Sequence, residues 1–230
     1  MQDTIVNKDI LEVLPTIPDG TFDCVVSDPP YKLEAHNRGL FHQRKKLSIF
    51  KEMMDWTNLD NDWYNEEILK EYVRICKFPN MFLFGCKRDV YNMLNFAIKN
   101  GLEYWILPVC KKAPIPFTEN TWLSNEYGIH IVDRKLTYTK DYNLKIPYFI
   151  VGGQKTTGHP NEKDLPMVKR IIANITQEGD FVFDGFMGSG TTAVACQQLG
   201  RHYFGCEIDT NYYENSLRRL EDDQRQGELF

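Results

Sequence analysis

Residues 181–200 read FVFDGFMGSGTTAVACQQLG. A short β-prone run ends on Asp184, glycines stand at 185, 188 and 190, and a stretch without glycine or proline then runs to Gly200. That order is strand, glycine turn, helix. Working outward, the spacing predicts a helix at about 163–176 before it, with Gly179-Asp180 as the turn between. A strand at YFGCEID and a final helix at 210–224 follow it. Strand, loop, helix, strand and helix make half of a doubly wound parallel sheet.

The first thirty residues repeat the alternation, with strand TIVN, helix DILEVLPTI and strand FDCVVS ending at Asp28. Regular structure resumes with a helix at 65–76, strand NMFLFGC and a helix at 88–99 that stops at Asn100-Gly101. LEYWILPVC, NEYGIHIVD and IPYFIVGG read as further strands. The fold class is therefore α/β, a mostly parallel, doubly wound sheet of Rossmann-like type in a single domain spanning 1–230. Residues 32–62 and about 111–148 have no clear period and read as insertions. Long loops in compact domains are usually functional.

Composition removes several classes. No apolar run approaches the ~20 residues of a membrane helix, and no basic-then-apolar leader opens the chain, so a cytoplasmic protein is expected. The six cysteines are scattered without a CxxC pair, which argues against zinc or a disulfide framework. No metal ligand set is expected. The net charge of -5 does not advertise a polyanion partner. Residues 36–46 (HNRGLFHQRKK), however, form a basic strip without an acid; such a strip can bind phosphates on a protein that is acidic overall, and taken alone it is more often a solvated face.

The glycine loop admits three ligands. Gly185 and Gly190 have P-loop spacing, but Thr191 stands where that motif needs its lysine, which sets ATP aside. Gly188-Ser189-Gly190-Thr191-Thr192-Ala193 matches the relaxed dinucleotide fingerprint with Glu207 as its acid, so a nicotinamide or flavin cofactor is a rival. S-adenosylmethionine also has a ribose for Glu207, with an ammonium and a carboxylate in place of the pyrophosphate. Asp184 suits the ammonium better than a pyrophosphate.

The corner at 27–33, SDPPYKL, follows a strand with two prolines, which deprives the backbone of two donors and leaves acceptors. An exocyclic base amine is a poor nucleophile because its lone pair is delocalised into the ring. Acceptors on its hydrogens favour the pyramidal nitrogen that attacks a methyl sulfonium. Asp28 supplies one acceptor, the Pro29 carbonyl a second, with Pro30 stiffening the turn. Tyr31 would stack on the base, a contact worth ~1–3 kcal/mol. Methylation at a ring carbon would instead need a thiolate, and no cysteine follows a proline.

DPPY at 28–31 together with FDGFMGSGTT at 183–192 resembles the amino-methyltransferases that act on DNA adenine N6 or cytosine N4, in the permuted order of the β class. The resemblance covers nearly the whole chain except about 32–62 and 117–148. It implies methyl transfer from S-adenosylmethionine to a base flipped from double-stranded DNA. It assigns the cofactor to Asp9, Ile10, Asp28, Thr157, His159, Asp184, Phe186, Gly188, Ser189, Gly190, Thr191, Thr192 and Glu207. VCKKAPIPF followed by Glu126 is similar to a stretch facing the catalytic cleft. Arg38, Arg44, Lys45, Lys46, Lys111 and Lys112 are the phosphate-contact candidates as a group. A homodimer and a cognate restriction enzyme are partners that the resemblance admits.

An acidic first residue in the corner implies adenine N6 ahead of cytosine N4. RNA, or a protein side-chain amide, is the alternative substrate for the same chemistry. The chain departs from the family pattern at Gly185, usually proline, and at Asn161-Glu162, usually Thr-Gln. If this reading holds, the strands ending at Asp28 and Asp184 are neighbours. Carboxylates more than about 15 Å apart would refute it, because reacting atoms must come within ~3–3.5 Å.

Overall fold

The computed structural model describes residues 1–30, 63–111, 126–133, 141–152 and 162–227. Strand β1 (Thr4–Val6) leads through Asp9 into α1 (Ile10–Val13). Apolar spacing predicts one helix through DILEVLPTI, but Pro15 has no N–H to continue the ladder. The α-helix therefore stops at Val13 and a 3-10 turn carries Leu14–Thr16. Next come β2 (Cys24–Ser27), α2 (Glu66–Ile75), β3 (Asn80–Gly85), α3 (Lys87–Lys99), β4 (Glu103–Lys111), β5 (Glu126–Val132) and β6 (Phe149–Val151). The chain closes with α4 (Leu165–Ile175), β7 (Phe181–Asp184), α5 (Thr191–Gln198), β8 (His202–Cys206) and α6 (Thr210–Gly227). Of the segment 111–148 assigned to an insertion, Glu126–Val132 forms β5, consistent with the strand-like run NEYGIHIVD.

The strands form one sheet in the order β1-β8-β7-β2-β3-β5-β4-β6. β5 is antiparallel to both of its neighbours, and every other pairing is parallel. Every residue of β2 and β3 is buried, as expected of strands covered on both faces. On one face, Val25 and Met81 pack with Ile10 of α1, Leu69 and Tyr72 of α2 and Met93 of α3. On the other, Cys24, Val26 and Phe82 pack with Val168 and Ile172 of α4, Val194 of α5 and Leu220 of α6. Among the described residues no helix is long and apolar enough to cross a membrane.

Two local constraints fix how the sheet meets its helices. Asn80 is buried and its amide donates to the carbonyls of Asp23 (3.1 Å) and Ile175 (2.8 Å). Both amide hydrogens are thereby used, so Asn80 Oδ1 accepts from His130 Nε2 at 3.0 Å. One side chain joins the start of β2, the end of α4 and β5. His130 is neutral, because burial pushes it down to about 3. The second constraint sits at Gly185, where an added Cβ would lie 2.1 Å from Cδ1 of the buried Ile10. The glycine that departs from the family pattern makes room for that isoleucine.

Asn80→Ala removes three hydrogen bonds in a buried setting and should cost about 2–4 kcal/mol. Urea unfolding should register this as a lower midpoint with an unchanged slope. Gly185→Ala should cost about 1–3 kcal/mol by overpacking. Combining it with Ile10→Ala should cost less than the sum of the two single changes, and strict additivity would refute the contact.

Candidate active site

The parallel pairing of β2 with β7 brings the two motifs together. Cys24 pairs with Val182 and Val25 with Phe183, so Asp28 emerges two residues beyond the level of Asp184 on the neighbouring strand. Strand geometry then puts the two Cα atoms roughly 8 Å apart, inside the limit set by the chemistry. From β7 the chain continues to β8 on one side, and from β2 to β3 on the other. Diverging connections of this kind leave a crevice at the carboxyl ends of the two strands.

The glycine loop is held in place from below. Gly188 and Gly190 have φ of 52° and 79°, a left-handed backbone that disfavours other residues. A Cβ at Gly190 would also meet Ser216 of α6 at 2.9 Å. Ser189, Thr191 and Thr192 are buried at the start of α5. Arg219 of α6 donates to the Ser189 carbonyl (3.1 Å), the Ser189 hydroxyl (3.2 Å) and the Thr191 hydroxyl (2.9 Å). The same guanidinium pairs with Glu162 at 3.1 Å, and both side chains are largely buried.

Two acids brace this loop. Asp184 accepts from the Phe186 amide at 2.9 Å and from the Thr192 hydroxyl. Burial pushes its carboxyl up to about 7; the Asp28 and Glu207 charges add to that rise, and the two hydrogen bonds oppose it. Glu207, beyond β8, accepts from the Gly188 amide at 2.8 Å and from the Asp209 amide at 2.9 Å. Burial raises this carboxyl as well, with backbone hydrogen bonds working against the shift. Asp9 caps α1 by accepting from Leu11 N–H at 2.9 Å. Ile10 points into the core at 3% exposure, so any ligand contact there falls to its backbone.

The corner is anchored through Ser27, which is fully buried. Its hydroxyl bonds to the Tyr72 hydroxyl at 2.9 Å, and its carbonyl accepts from Tyr64 at 3.3 Å. Burial holds the Tyr72 hydroxyl neutral by raising its pKa, and the bond to Ser27 only partly offsets the shift. Asp28 follows, with Pro29 buried and Pro30 half-buried. Lys163 donates to Asp28 Oδ2 at 2.9 Å and also to Glu126 Oε1. Its ammonium lies 4.9 Å from the centre of the Phe84 ring. Burial works to discharge Lys163, yet the charges of Asp28 and Glu126 outweigh it and raise the lysine above its ordinary value.

Glu126 reaches this edge because β5 runs backwards. Tyr127 pairs with Gly85, so the beginning of β5 lies beside the end of β3. The resemblance marks Glu162 only as a departure, and no local pattern assigns a role to Lys163, Glu162 or Arg219. The one local signal is Asp164, which caps α4 by accepting from Met167 N–H at 3.0 Å and so fixes the residue before it.

Tyr31, Arg38, Arg44, Lys45, Lys46, Lys112, Thr157 and His159 lie outside the described residues. Lys111 is the last residue of β4. All six cysteines are free. Burial raises Cys24, Cys76, Cys86, Cys196 and Cys206, with Cys76 pushed up to about 12, so none of these five is a ready thiolate. Among the described residues no cluster of His, Cys, Asp and Glu could hold a metal.

Residues 145–218 match the N6/N4 methyltransferase family model, described as DNA methylase. The chain is 25% identical to the type II methyltransferase M.HinfI of Haemophilus influenzae, over 94% of this chain and 68% of that one. It is also 25% identical to M2.DpnII of Streptococcus pneumoniae, over 94% and 89%. In fold it is similar to M1.HpyAVI, solved in complex with SAM, with a TM-score of 0.67, 23% identity and coverage of 94% and 98%. The cytosine-N4-specific PvuII DNA methyltransferase superposes with a TM-score of 0.66 at 15% identity, over 97% and 91%. With the two motifs adjacent across β2 and β7, in the permuted order, the chain is similar in sequence and in fold to the N6/N4 class of amino-methyltransferases.

Proposed function

We propose that the protein transfers a methyl group from S-adenosylmethionine to the exocyclic amine of a base flipped out of DNA, with adenine N6 as the target. The observation that carries this reading is the pairing of β2 with β7, which opens the acceptor-rich corner and the glycine loop into one crevice. S-adenosylmethionine supplies a methyl on a sulfonium, a leaving arrangement that needs no covalent bond to the protein. Asp184, the loop from Gly188 to Thr192 and Glu207 would hold it. The carboxyl of Asp184, already burdened by burial and two like charges, gains from a cationic neighbour. A pyrophosphate fits poorly, because the Gly188 amide, the first of the dinucleotide fingerprint, is taken by the chain's own Glu207 carboxylate. This counts against the nicotinamide alternative.

Asp28 and the Pro29 carbonyl accept the hydrogens of the target amine and favour its pyramidal, nucleophilic form. The neighbouring carboxylates favour the positive charge that develops on nitrogen as the new bond forms. The acidic corner favours adenine. Cytosine N4 is the second reading, supported by the likeness in fold to the cytosine-N4-specific enzyme. A cognate restriction enzyme is the proposed partner, in keeping with relatives that are named type II methyltransferases.

Incubation with genomic DNA and S-adenosylmethionine, followed by base-resolved detection, should yield N6-methyladenine. N4-methylcytosine would favour the second reading, and unmodified DNA would overturn both. Asp28→Ala should lower turnover by at least about a thousandfold while cofactor affinity stays within a few-fold. Turnover retained in that variant would remove Asp28 from its role.

Cofactor affinity should depend on pH through Asp184, which faces Asp28, Glu207 and the neutral thiols of Cys196 and Cys206. The ammonium of the cofactor prefers the carboxylate form. Affinity should therefore rise with pH, approaching about tenfold per unit well below the Asp184 midpoint near 7, and level off above it. Calorimetric titration should give this slope in the native protein and a flat profile in Asp184→Asn. A flat native profile would refute the assignment.

A further inference from the structure

We propose that Lys163 is a positioning residue for methyl transfer, anchored by Glu126 and holding the Asp28 carboxylate in its amine-accepting orientation. This rests on the methyltransferase reading above. Lys163 touches Asp28 Oδ2 at 2.9 Å and Glu126 Oε1 from a site where its side chain is only 12% exposed. A carboxylate has two oxygens and about four lone-pair directions. Engaging Oδ2 orients the group without exhausting it as an acceptor.

The lysine is itself held on both sides. Glu162, the residue before it, forms the largely buried ion pair with Arg219. Asp164, the residue after it, caps α4. The Phe84 ring lies under its ammonium. A cation so fixed cannot drift from the carboxylates as an exposed lysine would, and rigid support of this kind is what a catalytic geometry requires.

Charge gives a second reason for the arrangement. Asp28 and Glu126 touch one nitrogen and are therefore neighbours in a low-dielectric crevice. Two such carboxylates without a counter-charge do not both stay ionised at neutral pH. With Lys163 between them the trio carries a net charge of minus one. That charge is compatible with an amine becoming positive. The lysine thereby keeps Asp28 an acceptor, and its removal would let a proton settle on the pair. Among the described residues, the groups facing Asp28 include Lys163 from the segment before α4, Glu126 from β5 and Asp184 from β7.

The test compares the native protein with Lys163→Met, Lys163→Arg and the double variant Lys163→Met/Glu126→Gln, all checked for folding by circular dichroism. Turnover on DNA is followed against pH, cofactor affinity by calorimetry, and the Asp28 carboxyl by carbon NMR in the protein without ligands. Lys163→Met should lower turnover at pH 7 by about a hundredfold, with cofactor affinity within about threefold. The acid limb of its turnover profile, and the Asp28 midpoint, should move up by about one to two pH units. Lys163→Arg should recover most of both effects. The double variant should recover the midpoint but not the turnover, since it removes the like charge but not the need for orientation.

An unchanged acid limb and an unchanged Asp28 midpoint in Lys163→Met would overturn the proposal. A native protein that methylates no nucleic acid would overturn the methyltransferase reading instead. The NMR arm would then still decide whether Lys163 governs Asp28.

Discussion

The register between β2 and β7 is the constraint on which the rest of the molecule depends. The two strands lie more than 150 residues apart in sequence, yet four paired residues set where Asp28 and Asp184 emerge. Closing a loop of that length costs only slightly more than closing a short one, because the entropy grows with the logarithm of length. What must be strong is the specificity of the pairing. An aromatic cluster at the base of the strands supplies it, with Phe22 fully buried, 4.6 Å from Phe181 and 5.2 Å from Phe183 by ring centroids. A one-residue slip would turn Val25 and Phe183 to the wrong faces and carry both carboxylates out of the crevice.

The electrostatics of the crevice follow from that register. Asp28, Asp184, Glu207 and Glu126 all come to the same edge of the sheet, an expensive grouping in a buried setting. One cation from the last third of the chain balances it in part: Lys163 bridges Asp28 and Glu126, while Arg219 is matched by a carboxylate of its own, Glu162. Among the described residues the remainder is negative, which on the proposed reading suits a cationic methyl donor and an amine that becomes positive. On the proposed reading, a polyanionic substrate must be met elsewhere on the surface. The basic strip at 36–46 is the segment with that composition, and it lies outside the described residues.

Most elements were legible because each rests on a local pattern: unbroken apolar runs for β2 and β3, and a glycine stop after α3. The pairing of distant motifs was legible only through resemblance, since no periodicity says which strands are neighbours. Where local pattern misled, at Pro15, the missing N–H outweighed apolar spacing and cut the helix short. The ion pairs of Lys163 and Arg219 span 37 to 135 residues and leave no trace in any local window. The two departures from the family pattern instead became intelligible as contacts. Gly185 yields space to Ile10, and Glu162 gives Arg219 its carboxylate.

The reversed strand explains why a second carboxylate can serve the first. Had β5 been parallel, its carboxyl end would lie at the crevice and Glu126 would stand at the opposite edge of the sheet. Running antiparallel, it presents its first residue beside the end of β3, and a single lysine can then reach Glu126 and Asp28 together. Parallel strands each deliver one C-terminal residue to the site, and their loops must do the rest. An antiparallel strand placed second from β2 adds a side chain from the rigid sheet itself. Support built on a strand is more exact than support built on a loop. The direction of one strand thus decides whether Asp28 is held or merely present.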